Sequence, residues 1–450
     1  MPVVDKLSTP IRRLRGNPEA RVAIFRMLLL IGARVGGTVL TLGYTLLISR
    51  VASQHDFGVA MAATSVSLLA SVPMSMNVEM GSVRYLSKYA KERQDALASG
   101  FIRFVVHVIV LMTGLMVLIG GGYLLGTDNT GQELWAYAIA LSAAPFIAMS
   151  RLSSKNAVVF DAVLRGTLPR MLVRPLLFIV FVGSAYILGM SMSAISIVLM
   201  FLASAILAYA MQYFLLRDYF QKYLAAAPDY SERWQWLKTG VMLSPLLVMN
   251  EFLRDVIITS ASVALPKDQV ALLVIAISLI GVLSFAVTSV DMALTARVAQ
   301  ALMNSATERA RKLMAMAASL KCLAVVCVGT CVILLRDPIL SLLGGDYVAA
   351  GSGLIMLMAM PAASAILGPG DVVLTVLGHR KYVLIASLCG LVSTATLTIG
   401  GGLLGGFRWA AGGAAIAFVL QQSLLYTFCR LHTGVDPSIL ALRHARRDRQ

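Results

Sequence analysis

The chain has 450 residues, 58% of them hydrophobic and only 13% charged, with a mean hydropathy of +0.81. Soluble domains carry about 25% charged and roughly 45–50% apolar residues, so a soluble fold is excluded and a polytopic membrane protein is expected. The net charge of +16 is placed where membrane topology wants it, which argues against nucleic acid as a partner.

No short apolar stretch with a small-residue cleavage site opens the chain, so no removable signal peptide is expected. Windows of about 20 apolar residues mark spans. Twelve occur, at 24–49, 57–77, 101–125, 135–160, 171–190, 194–216, 240–263, 270–292, 315–335, 351–376, 382–404 and 410–429. With the N-terminus inside, the cytoplasmic segments hold 32 Lys and Arg, and the outside loops hold four: Arg50, Lys267, Arg336 and Arg408. Lys and Arg accumulate on the cytoplasmic side, so both termini are expected there. Trp135 and Trp409 then open spans from outside, and Trp234 and Trp236 approach the seventh from inside, as interfacial anchors do.

The soluble-looking segment between spans six and seven divides the chain into five parts. These are a cytoplasmic N-terminal tail (1–23), an N-lobe of helices 1–6 (24–216), a cytoplasmic linker (217–239), a C-lobe of helices 7–12 (240–429) and a basic cytoplasmic tail (430–450). A weak repeat relates the lobes. Arg84 and Arg297 lie 213 residues apart, each opening a charged, helix-compatible stretch after the second span of its lobe; they are the candidates for a cytoplasmic gate. Pro145 and Pro361 interrupt spans four and ten at similar places. Six spans per lobe make the repeat parallel, a plan on which transporters place a substrate site near the midplane.

The candidate site residues are charges where a bilayer should exclude them. Residues 249–255 read MNEFLRD inside the seventh apolar window, and one central charge costs roughly 2.5–3.5 kcal/mol on insertion scales. On a continuous helix Glu251 and Asp255 share one face, near the midplane; Arg34 reaches a similar depth in the repeat-equivalent first span. The expected arrangement is a polar cavity between the lobes, against the alternative of static ion pairing. Arg34 and Arg254 are its candidate cations, joined by Arg151 and Lys155, one turn apart on span four and suited to phosphate. Glu251 and Asp255 are the candidate ion-coupling or charge-network residues. Arg165, Arg170 and Arg174 read more simply as positive-inside charge.

Enzymatic signatures are missing. The five histidines are scattered, no phosphate-cradling loop with GK[ST] occurs, and the five cysteines sit in apolar segments as expected small core residues. Neither an enzyme nor a metal or other cofactor is expected.

Several stretches carry a family likeness. ARVGG at 33–37, DFG at 56–58, VRYLSKY at 83–89, LRGTLPRMLVRPLL at 164–177 and Asp255 in span seven belong to it, as do GGDYVAAGSGLIMLMA at 344–359, GHRKY at 378–382 and FRWAAGGAAIA at 407–417. In this order the chain resembles the bacterial polysaccharide flippases of the multidrug/oligosaccharidyl-lipid/polysaccharide exporter superfamily, over about residues 20–440. SRVASQHDFG departs from the pattern, which usually has Leu-Gly after the Arg. The resemblance implies an all-α, V-shaped transporter of two six-helix lobes around a central cavity, in the bacterial inner membrane. Its implied substrate is a polyprenyl-pyrophosphate-linked oligosaccharide, flipped from inner to outer leaflet by alternating access for O-antigen, capsule or exopolysaccharide assembly. H+ or Na+ is the candidate coupling ion, and other polysaccharide-assembly proteins are candidate partners. The alternatives are a multidrug/cation antiporter, a lipid-linked peptidoglycan-precursor flippase or, from another class, a membrane glycan polymerase or ligase.

Overall fold

A computed structural model of the protein describes residues 18–126, 131–304 and 307–439. Most of the N-terminal tail and the last part of the basic C-terminal tail lie outside the described residues. Among those described, every regular element is helical. Helix α1 (Pro18–Val51) is followed by α2 (Gln54–Met74). A 3₁₀ turn and the short α3 (Ser82–Glu92) lead to α4 (Asp95–Gly126). The fourth span is split into α5 (Gln132–Leu141) and α6 (Ala144–Val159). The fifth comprises α7 (Val163–Leu168), a π turn over Pro169–Val173 and α8 (Arg174–Ile187); α9 (Ala194–Leu224) closes the N-lobe.

The C-lobe repeats the plan. Its first span is α10 (Arg233–Glu251) and α11 (Leu253–Ala264), followed by α12 (Lys267–Met303) and α13 (Thr307–Ser341). The tenth span is split into α14 (Ala350–Leu357) and α15 (Ala359–Leu367). The short α16 (Gly370–Val376) precedes α17 (Arg380–Thr433), which is broken at Gly405 and Gly406. There the chain doubles back, with Gly413 against the Leu397 carbonyl and Gly401 against that of Trp409.

Among the described residues, nine segments are long and apolar enough to cross a membrane. The last of these is two spans folded at the Gly405–Gly406 break, and α1 and the α10–α11 pair supply the remaining two of twelve. The repeat is visible in the breaks: Pro145 and Pro361 each stand in the first turn of the second half-helix, where a residue without an N–H costs no hydrogen bond. The DFG motif also has a local reason. Ser53 caps α2 by accepting from the Asp56 N–H at 3.1 Å, and the Asp56 carboxylate accepts from Ser53 Oγ at 2.6 Å and from the Ala194 N–H at 2.9 Å, tying α2 to the start of α9.

The end of the bundle that carries residues 52–53, 188–193 and 266 is called distal here, and the end with residues 225–232 proximal. One hydrophobic core fills the distal half and runs through both lobes, from Ile48, Phe57 and Phe201 to Ile275, Tyr347 and Phe407. The proximal halves have separate cores, around Phe101, Leu152 and Trp236 in one and Val298, Leu374 and Leu425 in the other. The lobes therefore join distally and part proximally, which is the V, with a small shared cluster of Val72, Leu247, Val248, Phe252 and Val256 between them. At the distal seam α2 meets α12 backbone to backbone. A Cβ on Gly58 would overlap the Lys267 carbonyl oxygen, and Gln54 donates to the Asp268 carbonyl at 2.9 Å.

Gly58→Val should force this seam apart. Overpacking costs about 1–3 kcal/mol, enough to raise the open population about tenfold. An Ala60→Cys reporter, buried at the seam, should then react faster with a membrane-impermeant maleimide; unchanged labelling would show that the seam does not control this end.

One element crosses the V. The start of α10 is fastened to the N-lobe, where Trp236 is buried in that lobe's core and its Nε1 donates to Tyr89 Oη at 2.8 Å. Tyr89 donates in turn to Glu232, Tyr85 Oη bonds Thr239 Oγ1 at 2.8 Å, and Asn77 Nδ2 donates to the Gly240 carbonyl at 3.3 Å. Burial and the Glu232 carboxylate push the Tyr89 phenol up, so it stays a donor. Trp236 is thus a core residue rather than the expected interfacial anchor, whereas Trp135, Trp234 and Trp409 are exposed. The cysteines also depart from expectation. All five are free, but only Cys429 is buried, and Cys327, Cys331 and Cys389 face outward from apolar helices, where lipid would cover them.

Candidate functional site

The sequence treats MNEFLRD as one helical face, and the backbone does not. Phe252, at φ −127° and ψ 15°, separates α10 from α11. Glu251 and Arg254 therefore fall on different helices, and the expected one-face arrangement of Glu251 with Asp255 is lost. Broken spans are tolerated in bilayers where the freed backbone lines a cavity or is buried in protein.

Each charge of the motif goes its own way. Glu251 reaches the N-lobe and lies 3.7 Å from Lys155 Nζ and 3.6 Å from Arg170 Nη1. Arg254 donates from Nη2 to Ser278 Oγ at 3.2 Å. Asp255 is buried, with Ser65 as hydrogen-bond neighbour and Arg254 and Arg174 as its nearby cations.

Arg254 lines a cavity of about 350 Å³ at the junction of the lobes, together with Arg34, Arg170 and Arg174. The fifth span shapes this wall. Pro175 has no N–H to offer the Met171 carbonyl, and the ladder slips to i→i+5, with Arg174 N–H bonding the Pro169 carbonyl. Such π turns recur at functional sites. The first span passes close by because residue 37 is glycine; a Cβ there would stand 2.6 Å from the Met171 oxygen. Thr38, Thr41 and Ser278 add hydroxyls to the wall.

The cavity is short of acceptors. The Nε atoms of Arg170 and Arg254 are buried without a hydrogen-bond partner, and a buried donor left unmade costs about 1–3 kcal/mol, more when charged. Glu251 stands against Lys155 and Arg170, and Asp255 against Arg254 and Arg174. An anion with several oxygens would satisfy these donors.

Sequence reasoning named Arg34, Arg254 and Lys155 for this site, and the structure places them at or beside it. Arg151 is elsewhere. It is 1% exposed, ion-paired with the fully buried Glu79, and donates to Asn77 Oδ1 at 3.1 Å and Ser71 Oγ at 3.4 Å, with Phe252 beneath it at 5.3 Å. Its donors are spent inside the N-lobe, so the guanidinium is not offered to the cavity in this conformation. Arg84 on α3 and Arg297 near the end of α12 are exposed, on opposite lobes. Arg170 and Arg174, read from the sequence as positive-inside charge, also line this cavity; the available signal was the run RMLVRP, in which two arginines one turn apart are followed by a proline. A buried Lys321–Asp291 pair in the C-lobe was missed, although both residues stand in or beside apolar windows.

Comparison with known proteins agrees with this architecture. The MatE family profile matches residues 245–399, about a third of the chain, and no curated protein sequence matches. Among solved structures, an inward-facing multidrug resistance MATE family transporter of the MOP superfamily superposes with a TM-score of 0.68 at 14% identity, covering 91% of this chain and 96% of that one. The lipid II flippase MurJ in an inward closed conformation gives 0.63 at 15% identity, covering 88% and 86%. An outward-facing multidrug resistance MATE family transporter gives 0.59 at 16% identity, covering 96% and 98%. At these identities the likeness establishes the fold: two six-helix lobes of the MATE and MurJ kind.

Proposed function

We propose that the protein is an alternating-access transporter that flips a lipid-linked, diphosphate-bearing oligosaccharide across a bacterial inner membrane. The observation that carries this reading is the four-arginine cavity between the lobes with two unsatisfied buried donors. Arginine offers planar forks that match phosphate oxygens, and a diphosphate headgroup brings several. Among fold relatives, one kind is a multidrug resistance transporter and another a lipid II flippase; a cationic wall favours an anionic lipid headgroup over an organic cation. The MatE match supports a transporter rather than a glycan polymerase or ligase. Lys and Arg bias makes the proximal end cytoplasmic, so the V described above opens inward and both termini are cytoplasmic.

The test is reconstitution in vesicles with a fluorescent prenyl-diphosphate oligosaccharide in one leaflet. Protein-dependent loss of its accessibility to an external quencher supports the reading. Transport of an organic-cation drug with no movement of the diphosphate lipid would overturn it.

Glu251 and Asp255 remain the proposed coupling residues, now on separate helices. If they carry the driving proton, the Glu251→Gln/Asp255→Asn double variant should lose the dependence of flipping on an imposed pH gradient. Retention of that dependence at equal reconstituted amounts would reduce them to static partners of Lys155, Arg170 and Arg174.

A further inference from the structure

A second and larger cavity, of about 730 Å³, lies in the C-lobe on the other side of Leu253–Arg254. Nothing proposed above uses it. The two cavities are neighbours along shared helices. On α12, Ser278 and Gly281 line the first, whereas Ser284, Thr288 and Asp291 line the second; on α11, Arg254 lines the first and Leu253 the second. From Ser278 to Asp291 is thirteen residues, or about 20 Å of helix.

The second chamber has a different chemistry. Its charged residues are Asp291 on α12, Lys321 on α13 and Asp371 at the start of α16, two carboxylates to one ammonium. Lys321 is 1% exposed and already committed, to Asp291 and to the Ser364 carbonyl at 3.5 Å. Asn250, Gln421 and Gln422 add amides, and Met360, Pro361 and Phe418 add apolar faces. Gln421 is 5% exposed, and its Oε1 has no hydrogen-bond partner. The volume falls in the roughly 300–1,000 Å³ range of sites for organic ligands and is far larger than an ion needs.

We propose that this chamber is a glycan subsite that accepts neutral or amino-bearing sugars and rejects acidic ones. The proposal rests on the reading above, in which the arginine cavity takes the diphosphate of the same ligand. Sugar hydroxyls both donate and accept, so they suit a wall that mixes carboxylates, which only accept, with amides, which do both. The C–H faces of a sugar ring fit the apolar side chains between them. A uronate would bring a further negative charge into a chamber whose own balance is already negative, and such like-charge contact in a desolvated site is costly. A cationic cavity beside an anionic, amide-lined one matches a ligand with a diphosphate at one end and uncharged or amino sugars at the other.

The test measures binding to the full chain in lipid nanodiscs. The probes are farnesyl diphosphate, its N-acetylglucosaminyl and glucuronosyl derivatives, and phosphate-free N,N′-diacetylchitobiose. Wild type should prefer the N-acetylglucosaminyl over the bare diphosphate by about tenfold, one good set of buried hydrogen bonds, and should disfavour the glucuronosyl form. Gln421→Leu should bring the tenfold preference close to one, and Asp371→Asn should relax discrimination against glucuronate. Equal affinities for the three diphosphates in wild type, or preferences that survive both substitutions, would overturn the subsite. If no diphosphate binds yet chitobiose binds wild type and is lost in Gln421→Leu, the chamber stands and the diphosphate reading falls. If neither kind of probe binds, both fall.

Discussion

Arg34→Ala and Arg254→Ala should each slow flipping of a diphosphate-linked substrate by roughly thirtyfold or more. The two residues approach one cavity from different lobes, Arg34 on α1 and Arg254 on α11. Truncating one partner of a desolvated, hydrogen-bonded charge pair costs about 2–5 kcal/mol. The cavity is open, so the lower end of that range applies, which is about thirtyfold. Lysine at either position should rescue partly, because a fork becomes a point charge. The check is the initial flipping rate at equal amounts of reconstituted protein. Wild-type rates from both alanine variants would reduce the pair to packing residues and remove the basis for a phosphate site.

The second large effect concerns stability. Arg151→Met should leave the Glu79 carboxylate buried without its cation, together with acceptors on Asn77 and Ser71. Breaking a buried pair on one side costs about 3–5 kcal/mol, whereas replacing both partners by apolar residues is often nearly neutral. Arg151→Met should therefore melt well below wild type in detergent, and Arg151→Met/Glu79→Leu should recover most of the loss. Equal melting of the single variant and wild type would show that this network does not hold spans two and four together.

Much of the fold is legible in the sequence because bilayer length, apolar runs and the Lys and Arg bias are strong constraints. Pro145 and Pro361 mark the two split spans as well as the repeat. The break at Phe252 is not legible in the same way. Apolar residues continue on both sides, and the Phe252 N–H still bonds the Val248 carbonyl at 2.9 Å, so only the backbone angles change. That change redirects Glu251 toward the N-lobe and separates it from Arg254.

The arginines were hidden by a rule that is right on average. Positive-inside counting assigns Arg170, Arg174 and Lys321 to the cytoplasmic side by their nearness to an apolar window. Lys321 is fourteen residues into α13, which begins at Thr307, or about 21 Å along it. Arg151 errs in the other direction. It reads as an available cation, but the turn through Asn77, in a left-handed conformation, carries Asn77 and Glu79 onto it.

The single distal core biases which end of the protein opens. Opening the distal end would part packed apolar surface from both lobes, whereas the proximal cores are already separate and the α10 strap spans them without closing them. On the function proposed above, this packing favours opening toward the side on which a lipid-linked headgroup would be assembled. A ligand shifts such an equilibrium only by the difference in its affinity for the two states. An anion that draws Arg34, Arg170 and Arg174 of one lobe toward Arg254 of the other supplies that difference. On that proposal the cargo would also be the trigger, and the same distal packing would hold down futile cycling without it.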